Sequence, residues 1–283
     1  RSRLMDAARE KAATFIDDAV EPRTGIALPP LERTITESDI HYGALDITLD
    51  RARGVAAMTV RGPGTAPPID IAAILAQGAA FWPLALARDL DDAILHLRAN
   101  EPTLGVWVLR SEGDIDAVAA ADRALLDNAD HWFARETALY LKRVLKRLDV
   151  SSRSLIALIE PGSCFAGTLL ELVLAADQSY MLDGAFEDSN LPPAVLRPTD
   201  VNFGLLPMGN GLSRLQSRFL DDADSVAAVH AQTGADLDAL AAEELGLVTF
   251  APDDIDWEDE VRLAVEGRTA MSPDALTGLE ASL

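Results

Sequence analysis

The stretch SLIALIEPGSCFAGTLLELVLAAD, Ser154 to Asp177, decides the fold. After Ser154 its next five residues are apolar without alternation, which predicts a strand buried on both faces, Ser154 to Ile159. Glu160-Pro161 ends that strand, Gly162-Ser163 permits a tight approach, and a helix is expected from about Phe165 to Ala176. Amides at the start of such a helix lack intrahelical partners and, if they point outward, can hold an oxyanion. In a dry pocket each such donor is worth about 3 kcal/mol to a developing enolate or tetrahedral oxygen.

Two residues in this stretch carry candidate chemistry. Glu171 lies four residues past Gly167 in an apolar helix, flanked by Leu169, Leu170, Leu172 and Val173. Desolvation there raises a carboxyl pKa toward the range useful for proton transfer; the alternative is a glutamate that is exposed or salt-bridged to an arginine. Cys164 is either a small inert hydrophobe or a thiol activated by the helix start.

Working outward, strands are expected at Leu45 to Leu49 and Val55 to Val60, joined as a hairpin by the turn Asp50 to Gly54. Leu86, Leu90, Ile94 and Leu97 repeat at helical spacing, and Asn100-Glu101-Pro102 stops that helix. Leu104 to Leu109 reads as a second doubly buried strand, turned back by Ser111 to Asp114. A helix covers about His131 to Leu148, and short strands are expected at Ser179 to Leu182 and Leu247 to Phe250. Helices follow near Trp257 to Glu266 and Ser272 to Leu279. Apolar strands alternating with helices argue for an α/β fold with a parallel sheet and right-handed crossovers. We divide the chain into an N-terminal helix and linker (1–40), a core (41–220) and a helical C-terminal region (221–283), the first helix running from 3 to 20 and ending at Glu21-Pro22.

The 283 residues are 49% hydrophobic and 25% charged, as in folded proteins and unlike disordered ones. The formal charge of −22 repels polyphosphate backbones and anionic membranes, so nucleic acid and membrane are unexpected partners. A small anion in a local basic pocket remains compatible with that charge, and Lys142, Arg143, Lys146, Arg147 and Arg153 form either such a pocket or a solvated face. One cysteine forbids an internal disulfide and points to the cytoplasm, and four histidines without ligand spacing make a metal site unexpected. The most apolar stretch, Ile69 to Ala87, is broken by Asp70, Gln77, Gly78 and Pro83 and is not expected to span a membrane. The start Arg-Ser-Arg suggests a fragment of a longer protein or a trimmed chain. Dinucleotide, P-loop and nucleophile-elbow motifs do not occur.

Several ordered segments carry a resemblance. The strand followed by the glycine-bearing turn, the Glu171 helix and Ala176-Asp177 resembles the second signature of the crotonase (enoyl-CoA hydratase/isomerase) superfamily. Gly204-Leu205-Leu206-Pro207 with Gly209 and Gly211 resembles its later glycine–proline turn, and Thr233-Gly234 through Ala241 to Val248 its T-G to G-L-V segment. Leu148 to Ser154 and Asn202 to Arg214 are similar, more narrowly, to ring-opening lyases of that superfamily whose chains carry two crotonase-like halves, this segment matching the second. The resemblance implies a crotonase-like spiral with a helical C-terminal region that packs against neighbouring subunits, hence a homo-oligomer. It implies hydrolytic opening of 2,3-epoxybenzoyl-CoA to a semialdehyde CoA thioester and formate, with CoA as part of the substrate and no separate cofactor or metal.

By position, the resemblance makes Glu171 a catalytic glutamate and the Thr168 amide, beside Gly167, an oxyanion donor. The second donor segment is replaced by Glu112-Gly113-Asp114, which leaves Gly113 as the candidate, and Thr199 with Asp200 stands where a second glutamate is expected. These departures fit either a divergent site using Cys164, Asp200 or Asn202, or a non-catalytic half kept for dimerisation and scaffolding. Ordinary enoyl-CoA hydratase or isomerase activity is a further alternative.

Overall fold

The computed structural model describes residues 2–15, 25–65, 67–187 and 189–280. Helix α1, Ser2–Ala13, is exposed from Arg3 onward, and the expected continuation over 16–20 with its Glu21-Pro22 stop lies outside the described residues. A seven-stranded sheet follows in sequential order: β1 (Thr34–Ile35), β2 (Asp39–His41), β3 (Leu45–Asp50), β4 (Val55–Arg61), β5 (Val106–Glu112), β6 (Ser154–Ile159) and β7 (Gln178–Met181). Strands β1 to β4 pair antiparallel, with the expected hairpin running from Leu45↔Val60 to Asp50↔Val55. From β4 onward every pairing is parallel.

The parallel half follows from its apolar runs. Strand β6 is buried at all six positions, and β5 sends Trp107 and Leu109 into the main core but Val106 and Val108 into a smaller core on the other face. Helices α2 (Ile71–Gln77) and α3 (Trp82–Asn100) cross from β4 to β5, and Leu86, Leu90, Ile94 and Leu97 of α3 are buried as their spacing predicted. Between β5 and β6 run α4 (Ile115–Asp127) and α5 (Trp132–Asp149); α6 (Gly167–Leu174) leads to β7. The smaller core is closed by Trp257 and Val265 of α10 (Trp257–Thr269). The run Ile71–Asn100 has the length and apolarity of a membrane-crossing helix, and here much of its apolar surface belongs to the main core.

Two differences from the sequence reading have local causes. In the sequence a turn is expected to end at Asp114 and no element is expected over 115–127, where α4 runs. Asp114, the last residue of that turn, accepts the Asp116 N–H and caps a helix whose Val118, Ala121 and Leu125 are buried at spacings of three and four. The strand expected at Leu247 to Phe250 is instead a single bridge, Tyr180↔Phe250. The Thr249 and Phe250 N–H groups both converge on the Ser179 carbonyl, and although Met181 and Asp183 donate to the Phe250 and Pro252 carbonyls, Pro252 has no N–H to return a bond. The remaining C-terminal helices are α7 (Arg214–Arg218), α8 (Ala223–His230), α9 (Ala239–Glu244) and α11 (Pro273–Glu280).

Candidate functional site

The segment between β6 and α6 delivers a helix start into the protein interior, and there each amide meets an acceptor. The Gly167 N–H donates to the Arg197 carbonyl at 3.1 Å, and those of Leu169 and Leu170 to the Ala166 carbonyl at 2.8 and 3.2 Å. The Thr168 N–H donates to Oδ2 of Asp122 at 2.8 Å, and the Thr168 hydroxyl to Oδ1 at 2.5 Å. The outward-pointing free amides expected from the sequence are therefore engaged, because α4 brings a carboxylate onto the N-terminus of α6, where the helix dipole favours an anion. Gly167 has φ 40°, and a Cβ there would run into the Asp122 carboxylate and the Thr199 hydroxyl.

Asp122 is 1% exposed. Burial pushes its carboxyl up to about 7, against the opposing pull of the two bonds from Thr168, and the nearby Glu171 charge adds to the rise.

Glu171 is buried as well, and it is paired. Its Oε2 accepts Nη1 of Arg214 at 2.7 Å and its Oε1 accepts Nδ2 of Asn202 at 2.6 Å. Arg214 turns its other edge to Asp149, with Nε and Nη2 donating to the two carboxylate oxygens at 2.9 and 2.7 Å. Nη1 also reaches the Leu206 carbonyl at 3.0 Å. One guanidinium thus serves two carboxylates, fork-on to Asp149 and end-on to Glu171. Asn202 is fixed by a capping box: its Oδ1 accepts the Thr199 N–H at 3.0 Å, and its Nδ2 also bonds the Gly167 carbonyl at 2.9 Å. Burial raises the pKa of Glu171 and of Asp149, with Arg214 opposing in both cases. Of the two sequence readings for Glu171, desolvated acid or arginine-paired strut, the structure shows a carboxylate that is both desolvated and arginine-paired.

The other candidates are dispersed. Cys164 is fully buried; its N–H donates to the Ser111 hydroxyl at 2.9 Å, and burial drives its thiol up to about 11 rather than down. Gly113, at φ 137°, stands beside it: a Cβ there would lie 3.5 Å from the Cys164 sulfur and 3.2 Å from the Gly62 nitrogen. The Gly113 N–H is spent on the Gly162 carbonyl at 3.2 Å. Asp200 is exposed and heads the 3₁₀ turn Asp200–Phe203, on a cleft of about 280 Å³ that it shares with Asp122, Arg123, Arg197 and Thr199. The structure therefore joins Gly167 and Glu171 through Asn202, gives Thr168 to Asp122, sets Cys164 against Gly113, and leaves Asp200 at a cleft. Within the basic cluster, Arg147 pairs with Asp91 of α3 at 3.1 Å, while Lys146 and Arg153 line a separate cavity.

Asp122, Arg214 and Asp149 were missed from the sequence as site residues. The first had a signal, an acid on the buried face of a recognisable amphipathic helix. Arg214 and Asp149 are 65 residues apart, and no local spacing links them.

This arrangement of sheet, crossovers and buried α6 matches solved crotonase-fold structures. An enoyl-CoA hydratase/isomerase from Cupriavidus metallidurans CH34 aligns with TM-score 0.57 at 20% identity, covering 84% of this chain and 79% of that one. One from Bordetella parapertussis aligns at 0.54 and 17%, covering 85% and 86%. The protein thus has the fold of the enoyl-CoA hydratase/isomerase superfamily, as the motifs at 162–171, 204–211 and 233–248 implied. More particularly, it is 52% identical over 276 residues to the benzoyl-CoA-dihydrodiol lyase of Aromatoleum evansii, across 98% of this chain. The chain spans about half of that relative's length (49%). No family model matches the sequence.

Proposed function

We propose that the chain is part of a CoA-thioester lyase of aerobic benzoate degradation, a cytoplasmic homo-oligomer that opens 2,3-epoxybenzoyl-CoA with water to a semialdehyde CoA thioester and formate, with no separate cofactor. Within that lyase we assign this crotonase-fold segment an architectural role. The identity to benzoyl-CoA-dihydrodiol lyase supports the first part. One observation carries the second: the Asp122 carboxylate occupies the Thr168 amide on which a thioester oxygen would have to sit.

The chemistry of the superfamily needs an N–H free to meet a developing oxyanion and an acid free to reach the substrate. Here the N–H is held by a buried carboxyl that also accepts the Thr168 hydroxyl, and a thioester oxygen would have to displace both bonds to reach it. Glu171 faces Arg214 and Asn202, both buried, so it has no path to a ligand without breaking charge-assisted hydrogen bonds. Both groups bind the fold together instead. Adding benzoyl-CoA to ¹⁵N-labelled full chain should leave the Thr168 amide resonance in place; a saturable shift of that resonance would show that the thioester enters and would overturn the architectural assignment.

A further inference from the structure

A cavity of about 650 Å³ opens at the other end of α6 from Thr168, where Leu174 to Asp177 meet the end of α5 and the segment Met208 to Leu220. Its charged lining is Lys146, Asp149, Arg153, Asp177, Arg214 and Arg218. Most of these charges are answered within the protein. Asp149 and Arg214 hold each other, and Asp177 accepts the Leu155 N–H at 2.8 Å. Lys146 stands in the last turn of α5, where it offsets the carbonyl end of the helix and eases the charge of Asp149.

Arg153 and Arg218 have no such answer. Arg153 gives Nη1 to the Ser152 carbonyl at 2.8 Å and Nη2 to that of Pro102 at 3.5 Å, while its Nε is buried without an acceptor. The charge that faces it is another cation, Arg98, which together with burial lowers its pKa. Arg218 gives Nε to the Gly246 carbonyl at 2.6 Å, and among the described residues its two Nη groups meet no protein acceptor. Burial alone lowers its pKa. In a chain with 46 acidic and 24 basic residues, two guanidiniums sharing one cavity with no carboxylate on either need an explanation. A partly desolvated, unpaired cation is costly unless an anion completes it. The rest of the wall is mostly apolar, with Val150, Leu155, Leu174 and Met208 beside the polar Asn210 and Ser217, and Leu220 of the lining is 92% exposed with φ 51°.

We propose that this cavity binds a small organic anion, its phosphate or carboxylate head between Arg153 and Arg218 and its apolar body against Val150, Leu174 and Leu220. Guanidiniums supply planar paired donors that match either head group, and the volume suits a ligand of aryl size or larger. The cavity borders the Glu171 network through Arg214 and Asp149 but places the ligand on neither Thr168 nor Glu171, and the proposal stands or falls apart from the lyase assignment.

Calorimetric titration of the full chain with phenyl phosphate and with benzoate tests it. At least one of the two should bind, the tighter one identifying the head group, and its affinity should fall at least tenfold in the double variant Arg153→Met, Arg218→Met. Should that variant fail to fold, Ser217→Glu keeps both arginines and places a repelling carboxylate on the lining; it should weaken the same ligand tenfold. Absence of binding of both probes at millimolar concentration, or an affinity unchanged by Ser217→Glu, would overturn the proposal.

Discussion

Asp122 and Thr168, 46 positions apart, are joined by two hydrogen bonds that place a carboxylate of α4 on the first turn of α6. An internal acid there does for the helix start what a bound anion would do, and it seals the point at which the crotonase fold could otherwise admit a thioester oxygen. The cost is a carboxylate held in an apolar interior.

That cost makes stability depend on pH. Asp122 titrates at 3.8 when exposed and at about 7 in the fold, so between those values the folded chain holds a proton that the unfolded chain has released. Stability therefore falls as pH rises from about 4 to about 7 and levels off above; Glu171 and Asp149, also raised, push in the same direction. In Asp122→Asn the amide oxygen can still accept the Thr168 N–H while its NH₂ donates to the hydroxyl. Urea unfolding at about pH 5 and pH 8 should show a loss smaller than the parent's by about 2 kcal/mol. Equal losses would show that Asp122 is not the titrating group.

Removing the cation that serves two carboxylates should be severe. Arg214→Met leaves Glu171 and Asp149 facing each other's charge in the interior and should cost about 3–5 kcal/mol in denaturant unfolding, with Glu171→Leu added to it recovering at least about 1 kcal/mol. Glu171→Gln alone, which keeps the shape and loses one accepted bond, should cost about 1–2 kcal/mol. A mild Arg214→Met would mean that the network is solvated.

Gly167 is required by close approach as well as by its backbone. Gly167→Ala should destabilise by about 2 kcal/mol, and by roughly 1 kcal/mol less in an Asp122→Ala background, since the carboxylate the methyl group meets is then gone. Strictly additive costs would remove the Asp122 contact from the explanation.

Cys164 should behave as a core residue. With its thiol at about 11 and fully buried, it should react with a disulfide reagent at about pH 8 only as fast as the protein opens, the rate rising steeply with added denaturant. Rapid stoichiometric reaction in the native state would contradict the buried placement.

The fold was largely legible because its strands are unusually plain. Five apolar residues from Leu155 to Ile159, a Val-rich run ending at Leu109 and a helix keyed by Leu86 to Leu97 leave few alternatives to a parallel sheet. A helix start near Phe165 could be read in the same way, and so could two alternatives for Glu171, a desolvated acid or an exposed or arginine-paired residue. Which partners they meet could not, because Asp122, Asn202 and Arg214 reach them from 46, 31 and 43 positions away. Three-dimensional pairing turned a pattern that reads as an open site into a closed one. Arg153, read as part of a solvated or phosphate-binding stripe, separated from Arg143 and Arg147 for the same reason: those two face Asp91 of α3, and Arg153 does not.

The most direct test of the architectural assignment is turnover by the complete proposed lyase carrying Glu171→Gln. If Glu171 is a strut paired with Arg214, kcat/KM for opening of the epoxide thioester should stay within about threefold of the parent once folded protein is counted, whereas loss of a proton-transferring carboxyl costs about a hundredfold or more. A hundredfold fall in kcat, with the variant still folded, would place the chemistry in this segment and contradict the account.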